Sequence, residues 1–168
     1  MCPLVDNTAL LGLGSNSHAE MNILGGIFHI MRQWTVVALS SIYRTEPVGE
    51  GAGSKQYLNC CVRLECAESE DTLKRQLQRI EELHGHRIRS QLEPVRPLDC
   101  DILAFHSVGQ LGELRHNPAL EAFIPALNEF GITGQLGVVG SDVLDSVVRG
   151  TSTAIAVWTR NNCLVSSD

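Results

Sequence analysis

The chain has 168 residues, a hydrophobic fraction of 43% and a formal net charge of −6 at pH 7. This length suffices to bury a hydrophobic core without disulfide bonds, and no apolar run approaches the ~20 residues of a membrane-spanning helix. The acidic balance argues against a nucleic-acid surface, which needs clustered lysine and arginine, although a small anionic substrate needs only a local positive pocket. We therefore expect one domain spanning residues 1–168, with no nucleic-acid or membrane partner.

Cysteine usage indicates a reducing compartment. The six cysteines contain no C-x-x-C pair, so no zinc site is indicated, and the N-terminus lacks the basic residues that open a signal peptide. We expect reduced thiols that mostly pack, in a cytoplasmic protein. Adjacent Cys60 and Cys61 would point to opposite faces of a strand.

The first elements are a strand and a helix. Residues 8–16, TALLGLGSN, have the pattern of a buried strand that enters a tight turn, and Ser15 or Asn16 is placed to cap a following helix. Gly25 and Gly26 weaken that helix by about 1 kcal/mol each relative to alanine. Its expected buried stripe consists of Met21, Leu24, Ile27, Phe28, Met31 and Trp34. The β-rich residues 35–45 then predict a second strand.

The next elements complete an alternating pattern. A Pro/Gly-rich loop at 46–55 precedes a third strand at 56–66. Ser69 is the expected cap of a second helix that buries Leu73, Leu77, Ile80 and either Leu83 or His84, and Gly85 is its expected stop. Residues 98–105, LDCDILAF, predict a fourth strand.

This order predicts an α/β (α+β) fold with a ferredoxin-like βαββαβ core, over residues 8–107. We expect an antiparallel sheet with both helices on one face, in a three-layered sandwich. Weaker signals in the extension 108–168 predict a short helix within 117–130, another at 141–149 and a last strand at 153–158.

Two carboxylates lie on the fourth predicted strand. Asp99 and Asp101 are two residues apart, so they would share a face at a spacing of roughly 6.5 Å along the strand. Two like charges this close are costly unless a cation compensates, and Mg²⁺ commonly bridges a few carboxylates to substrate phosphates. Arg96 would add a fixed donor to the same phosphates. The alternative is that Asp99 caps a turn while Asp101 faces solvent on an edge strand.

Four segments, in order, carry a family resemblance. They are LGLGSN at 11–16, SSIYRTEPVG at 40–49, QYLNCCVRLE at 56–65, and RIEELHGHRIR…VRPLDCDIL at 79–103. As a set they resemble hydroxymethyldihydropterin pyrophosphokinase, an enzyme of folate biosynthesis. The resemblance implies transfer of pyrophosphate from ATP to 6-hydroxymethyl-7,8-dihydropterin with release of AMP, with the help of two Mg²⁺ ions. We expect the protein to be a monomer.

On the phosphate side, the resemblance implies that Asp99 and Asp101 hold the metal ions. Arg96 matches an arginine that contacts the transferred phosphates, and its alternative is a solvated loop residue. Arg87 and Arg89 align with basic catalytic residues only after a one-residue shift. His116 corresponds to a histidine near the ATP, or else is a surface residue.

On the pterin side, the resemblance implies a set of substrate-binding residues. Asn59 would read the polar edge of the ring and Phe123 would stack on it. The alternatives are an exposed strand position for Asn59 and simple core packing for Tyr57 and Phe123. The full set is Thr45, Pro47, Val48, Tyr57, Asn59 and Phe123.

The sequence also departs from the family pattern. Leu92 and Glu93 replace a loop tryptophan, and Glu121 replaces an arginine that neutralises ATP phosphates, for which Arg115 is a candidate substitute. These departures leave two alternatives open. One is a catalytically impaired paralogue that binds a pterin or nucleotide ligand, and the other is a ferredoxin-like interaction module.

Overall fold

A computed structural model describes residues 6–49, 51–85, 93–108, 113–115 and 120–130. Within these residues the chain forms five strands and three helices. In order they are β1 (Asn7–Ser15), α1 (Ala19–Gln33), β2 (Thr35–Leu39), β3 (Tyr43–Thr45), β4 (Tyr57–Cys66), α2 (Glu70–His84), β5 (Asp99–Ser107) and α3 (Leu120–Glu129). The predicted βαββαβ order is confirmed, with β3 as an extra short strand and α3 as an added helix.

The sheet is antiparallel, with strand order β2-β4-β1-β5, and β3 also pairs with β4. Strand β1 is central, and residues 8–15 of it are all buried. A strand covered by helices on both faces shows this continuous burial, because neither side is left to water. The α+β fold class expected from the sequence is therefore correct.

The two faces of the sheet carry separate hydrophobic cores. One core joins Leu11 and Leu13 of β1 to Ile27 of α1 and Leu77 of α2. The other joins residues such as Leu10, Cys61 and Leu103 to Phe123 and Phe130 at the α3 end. Cys60 lies in the first core and Cys61 in the second, as the alternation of a strand predicts. The helices thus lie on both sides of the sheet, in the expected three layers.

Helix α1 presents a different face to the sheet than its sequence suggested. Its buried residues are Ile23, Gly26, Ile27 and Ile30. Of the predicted stripe, Ile27 and Trp34 are buried, whereas Met21, Leu24, Phe28 and Met31 are exposed. Gly26 explains the close approach, because a Cβ there would lie 2.9 Å from Leu98 Cδ2.

The predicted start of α1 was also wrong. The residue before the helix is His18, in a left-handed conformation with φ 44° and no side-chain cap. Ser15 ends β1, and the Asn16 side chain is used elsewhere, as described below. In contrast, α2 begins after Ser69 and ends at Gly85 as predicted, with Leu73, Leu77 and Ile80 buried. Either Leu83 or His84 was expected to be buried at the end of this helix. Leu83 is 70% exposed, and His84 is half-buried.

The strand predicted at 35–45 is two strands, because Ser40 interrupts the ladder. The Ser40 N–H donates to the Cys61 carbonyl at 3.0 Å, as in a regular ladder. The Cys61 N–H, however, donates to Ser40 Oγ at 2.8 Å instead of to a backbone carbonyl. A side chain thus replaces one main-chain acceptor, and the backbone leaves the sheet before β3.

The C-terminal predictions are only partly tested. Helix α3 lies within the predicted 117–130 segment and includes Pro125. The helix predicted at 141–149 and the strand predicted at 153–158 lie outside the described residues. Among the helices that the structure does describe, none combines the length and apolarity needed to cross a bilayer.

Candidate active site

An open pocket lies where β1, β4 and β5 meet α3 and the loop after β3. It has a volume of about 400 Å³, counting the space at its mouth. It brings together seven of the residues proposed from the sequence. Its lining residues are Gly14, Glu46, Val48, Ala52, Tyr57, Asn59, Arg96, Asp99, Asp101, Ala122 and Phe123.

Two glycines of β1 make room for the pocket. A Cβ on Gly12 would lie 2.8 Å from Cζ of Phe123, and one on Gly14 would lie 2.7 Å from Oδ1 of Asn59. Both distances are too short for a real contact, so these positions need glycine. Leu11 and Leu13 point into the core on the other face of the same strand. The alternation in LGLG therefore separates a packed face from a face that admits a ligand.

Side chains alternate between the two faces of β5, and this alternation places both aspartates on the pocket side of the sheet. In the antiparallel register, Asp99 lies opposite Gly14 and Asp101 opposite Gly12. Cys100, between them, packs toward the α1 and α2 side, and its N–H donates to Oε1 of Glu81 at 2.7 Å. Because β5 is the edge of the sheet, this α2 carboxylate supplies the acceptor that a further strand would have given. The shared face expected for Asp99 and Asp101 is present.

Arg96 lies beside the first aspartate. Its Nη1 is 3.4 Å from Oδ2 of Asp99, and the arginine side chain remains 37% exposed. In the described lining, three carboxylates (Glu46, Asp99 and Asp101) therefore face a single arginine. An excess of negative charge in an open pocket favours a cation over a bare phosphate.

These donors fit Mg²⁺. The described residues contain no cluster of three or more histidine, cysteine, aspartate or glutamate side chains that would enclose an ion. Mg²⁺ prefers oxygen ligands, keeps several waters and takes only one or two protein carboxylates beside substrate phosphates. Asp99 and Asp101 supply that number, on a surface that solvent reaches.

The amide of Asn59 is buried and fixed. Asn59 is 3% exposed, which excludes the alternative of an exposed strand position. Its Nδ2 donates to Oγ1 of Thr45 at 2.6 Å. Thr45 thus belongs to the site through Asn59 rather than by lining it. Pro47 is half-buried beside the lining residue Val48 and does not itself line the pocket.

Phe123 packs in the core, as one of its two alternatives predicted, and it also lines the pocket. It is 3% exposed and packs in the core under α3, and its ring also forms part of the pocket wall over Gly12. The far end of α3 is tied to the sheet by Glu129, which accepts hydrogen bonds from the Tyr43 hydroxyl and from the Ser41 N–H. The Glu129 hydrogen bond raises the pKa of Tyr43, so the phenol remains a donor at neutral pH.

Several other predicted residues are not among the described lining residues of the pocket. Arg87, Arg89 and His116 lie outside the described residues, so their expected roles stay predictions. Arg115, the candidate substitute for the missing phosphate-binding arginine, is not among the described lining residues of the pocket. Arg115 forms a two-point ion pair with Glu70 in the first turn of α2, and this hydrogen bond lowers the pKa of Glu70. Glu121 is exposed on α3, next to the lining residue Ala122.

The surroundings of the Cys60 and Cys100 thiols disfavour the thiolate form. Burial raises the pKa of Cys60 to about 12. Burial, followed by the nearby Glu81 carboxylate, raises the pKa of Cys100 well above its usual value. Thiols in such surroundings stay neutral near pH 7, which agrees with the packing role expected from the sequence.

Sequence reasoning missed some residues of the site. Glu46 lines the pocket and accepts a hydrogen bond from Gln56 Nε2 at 2.5 Å. It lies between Thr45 and Pro47, which were both proposed as substrate-binding residues. Its neighbours in the sequence were therefore the one signal that could have identified it. Ala52 and Ala122 also line the pocket, but a methyl side chain has no functional group by which the sequence could identify it as a site residue.

The fold and the pocket together define a class of protein. It is a small α+β domain whose described site combines two carboxylates on one strand face, an arginine, a fixed amide and an aromatic ring. A model of the 7,8-dihydro-6-hydroxymethylpterin-pyrophosphokinase family matches residues 10–128. The chain belongs to this family, which uses ATP and a pterin as substrates, typically with Mg²⁺. No curated protein matches the chain.

Proposed function

We propose that this protein transfers pyrophosphate from ATP to 6-hydroxymethyl-7,8-dihydropterin and releases AMP, as a step of folate biosynthesis. One observation carries the proposal. In a chain of the pyrophosphokinase family, Asp99, Asp101 and Arg96 share one pocket with Asn59 and Phe123. Phosphate-directed and ring-directed groups are thus next to each other, as a transfer between two small molecules requires.

In this proposal the pterin lies against the Asn59 and Phe123 side of the pocket. The Thr45 hydroxyl limits rotation of the Asn59 amide, so the amide is prepared to hydrogen-bond the polar edge of a heterocycle. The side chains of Val48, Tyr57 and Phe123 offer apolar surface to the ring faces. Because these groups are already in place, little ordering free energy is lost on binding.

The phosphates of ATP then lie toward Asp99, Asp101 and Arg96. Two Mg²⁺ ions, held by the two aspartates, would neutralise phosphate charge and favour ionisation of the attacking hydroxyl. Arg96 would donate to the transferred group, and its Nη1 lies 3.4 Å from Oδ2 of Asp99 in the same pocket. In the transfer, the hydroxymethyl group loses its proton to solvent and its oxygen bonds to the β-phosphorus, while the bond from that phosphorus to the α,β-bridging oxygen breaks and AMP leaves with that oxygen. Such transfers depend chiefly on positioning and charge neutralisation.

A second candidate is a paralogue that binds ligands without transferring pyrophosphate. The observation that favours it is the charge of the described lining, in which Arg96 is the single basic residue. Arg115 is paired with Glu70, and Glu121 adds a further negative charge beside Ala122. Net negative charge opposes the binding of a polyphosphate unless Mg²⁺ neutralises it.

One assay separates these candidates. AMP release is measured from ATP and Mg²⁺, with and without 6-hydroxymethyl-7,8-dihydropterin, and binding of the pterin and of ATP is measured by calorimetry. The proposal predicts AMP only when pterin, ATP and Mg²⁺ are all present. Pterin binding without AMP would establish the binding paralogue, and binding of neither ligand would favour the interaction module.

A further inference from the structure

We infer that Asn16 is a positioning residue that holds the Arg96 backbone in the orientation that directs its guanidinium into the pocket. This inference rests on the proposed function, since Arg96 is the group that would contact the transferred phosphates. Asn16 itself does not line the pocket. It acts at the junction where β1 ends and the segment before β5 passes alongside.

Asn16 makes three hydrogen bonds to that segment. Its backbone N–H donates to the Arg96 carbonyl at 3.1 Å. Its side-chain Oδ1 accepts the Arg96 N–H at 2.7 Å, and its Nδ2 donates to the Pro94 carbonyl at 2.8 Å. One residue thus satisfies both backbone groups of Arg96 and one of Pro94.

The segment needs an external partner of this kind. It reads Pro94-Val95-Arg96-Pro97, and the two prolines have no N–H to donate. It also precedes β5, so the regular ladder between β1 and β5, which starts at the Gly14–Asp99 pair, does not hold it. On its far side the chain is fixed by Leu98, which packs against Gly26 of α1. Val95, on the near side, forms an isolated β-bridge, so Asn16 holds the backbone of Arg96 itself between these two anchors.

The guanidinium depends on this backbone anchor. It approaches Asp99 at 3.4 Å, and the arginine side chain is more than a third exposed. A long exposed side chain held by a weak contact keeps much of its rotamer freedom. The position from which it starts, and hence the region it reaches, is set by the main chain that Asn16 holds.

Few side-chain types can make both of these hydrogen bonds at position 16. The side chain must accept from an N–H and donate to a carbonyl at the same time, which an amide does and a carboxylate does not. Asn16→Asp keeps the shape and the acceptor, but directs a carboxylate oxygen at the Pro94 carbonyl. Asn16→Ala removes both side-chain bonds and leaves the backbone bond.

A matched control exists in the same region. Asn22 also uses both ends of its amide, with Nδ2 donating to the Ser17 carbonyl at 2.6 Å and Oδ1 lying 3.0 Å from Nδ1 of His84. It lies on α1, outside the pocket lining. Asn22→Ala therefore reports the effect of losing a comparable pair of hydrogen bonds without moving Arg96.

The test compares steady-state kinetics of AMP formation at a temperature at which all variants remain folded. We expect Asn16→Ala to lower kcat/KM for ATP by about 10- to 100-fold, the range seen when supporting hydrogen bonds to a site residue are lost. Asn16→Asp should fall between the wild type and Asn16→Ala. Pterin affinity, measured by calorimetry, should be unchanged. Equal losses in Asn16→Ala and Asn22→Ala, or a matching loss of pterin affinity, would overturn the inference.

A double-mutant cycle identifies the route of the effect. If Asn16 acts through Arg96, then Asn16→Ala should have little further effect on kcat/KM in an Arg96→Ala background, because the group that it positions is gone. Full additivity of the two losses would contradict a positioning role.

A separate readout does not depend on turnover. Amide hydrogen exchange should show the Arg96 N–H protected in the wild-type protein and exchanging at least about tenfold faster in Asn16→Ala, while β1 and β4 amides are unchanged. If the wild type forms no AMP, the proposed function fails, but this exchange result still decides the structural part of the inference. An unprotected Arg96 amide in the wild type would overturn it.

Discussion

The two faces of the sheet are built from the same strands but are organised differently. Toward α1 and α2, β1 contributes Leu11 and Leu13 to a closed core. Toward α3, the same strand contributes Gly12 and Gly14, which leave space for Phe123, for Asn59 and for the pocket. The difference teaches that one face supplies stability through close packing, whereas the other gives up packing volume to hold polar groups where a ligand reaches them.

The largest expected effect comes from removing a pocket carboxylate. Asp101→Ala should lower kcat by about 10³-fold, since it removes a ligand for the ion that stabilises developing charge. Its melting temperature should change little, because the substitution also relieves repulsion from Asp99. AMP formation and thermal unfolding measure the two effects. Asp71→Ala, an exposed carboxylate of α2, is the control and should keep full activity. Unfolding of Asp101→Ala would show that this residue is structural.

The packed face should show the opposite pattern. Leu77→Ala creates a cavity under α2 and should lower the free energy of unfolding by about 2–5 kcal/mol. The KM values should be unchanged at temperatures where the variant is folded, because Leu77 is on the other side of the sheet from the pocket. Denaturant titration measures the loss. Leu83→Ala on the same helix is the exposed control, and a comparable loss there would contradict this account of the core.

A pair of glycine substitutions compares the faces directly. Gly12→Ala places a methyl group 2.8 Å from the Phe123 ring, and Gly26→Ala places one 2.9 Å from Leu98. Each overpacked position should destabilise the fold by about 1–3 kcal/mol. Only Gly12→Ala should also raise the KM for pterin, since it displaces a ring that lines the pocket. Equal effects of both substitutions on this KM would contradict the separation of the two faces.

The smallest expected effect is a pH dependence on the packed side. Burial, followed by the charge of nearby His29, lowers the pKa of His84, whose ring also contacts Asn22. The folded state therefore favours neutral His84. Its stabilising contribution is present above the ordinary histidine pKa of about 6.5 and is lost as the pH falls through the lower pKa of the folded state. His84→Gln should flatten this part of the stability profile measured by denaturant titration. An unchanged profile would assign the dependence to other groups.

Local periodicity predicted much of the fold but not the orientation of every element. Strands β1, β4 and β5 and helix α2 were recognisable because one hydrophobic period dominates each segment. Helix α1 carries apolar residues on two faces, and periodicity alone cannot say which one meets the sheet. Gly26 decides this through its contact with Leu98, which is distant in the sequence, and such a contact has no local signature.

The same distinction holds for the site. Asp99 and Asp101 were found because strand alternation fixes their common face. Asn16 was predicted as a candidate helix cap from its local sequence alone. Its actual partners, Pro94 and Arg96, are 78 and 80 residues away, so the local sequence does not indicate them. Long-range side-chain to backbone hydrogen bonds of this kind become visible only when the strands are assembled.

The most direct test of the central claim is identification of the products. The wild-type protein is incubated with ATP, Mg²⁺ and 6-hydroxymethyl-7,8-dihydropterin, and the phosphorus species are resolved by NMR and mass spectrometry. The account predicts AMP and the pterin diphosphate in equal amounts, with neither formed when Mg²⁺ is omitted. Formation of ADP with a pterin monophosphate, or no phosphorylated pterin at all, would contradict it.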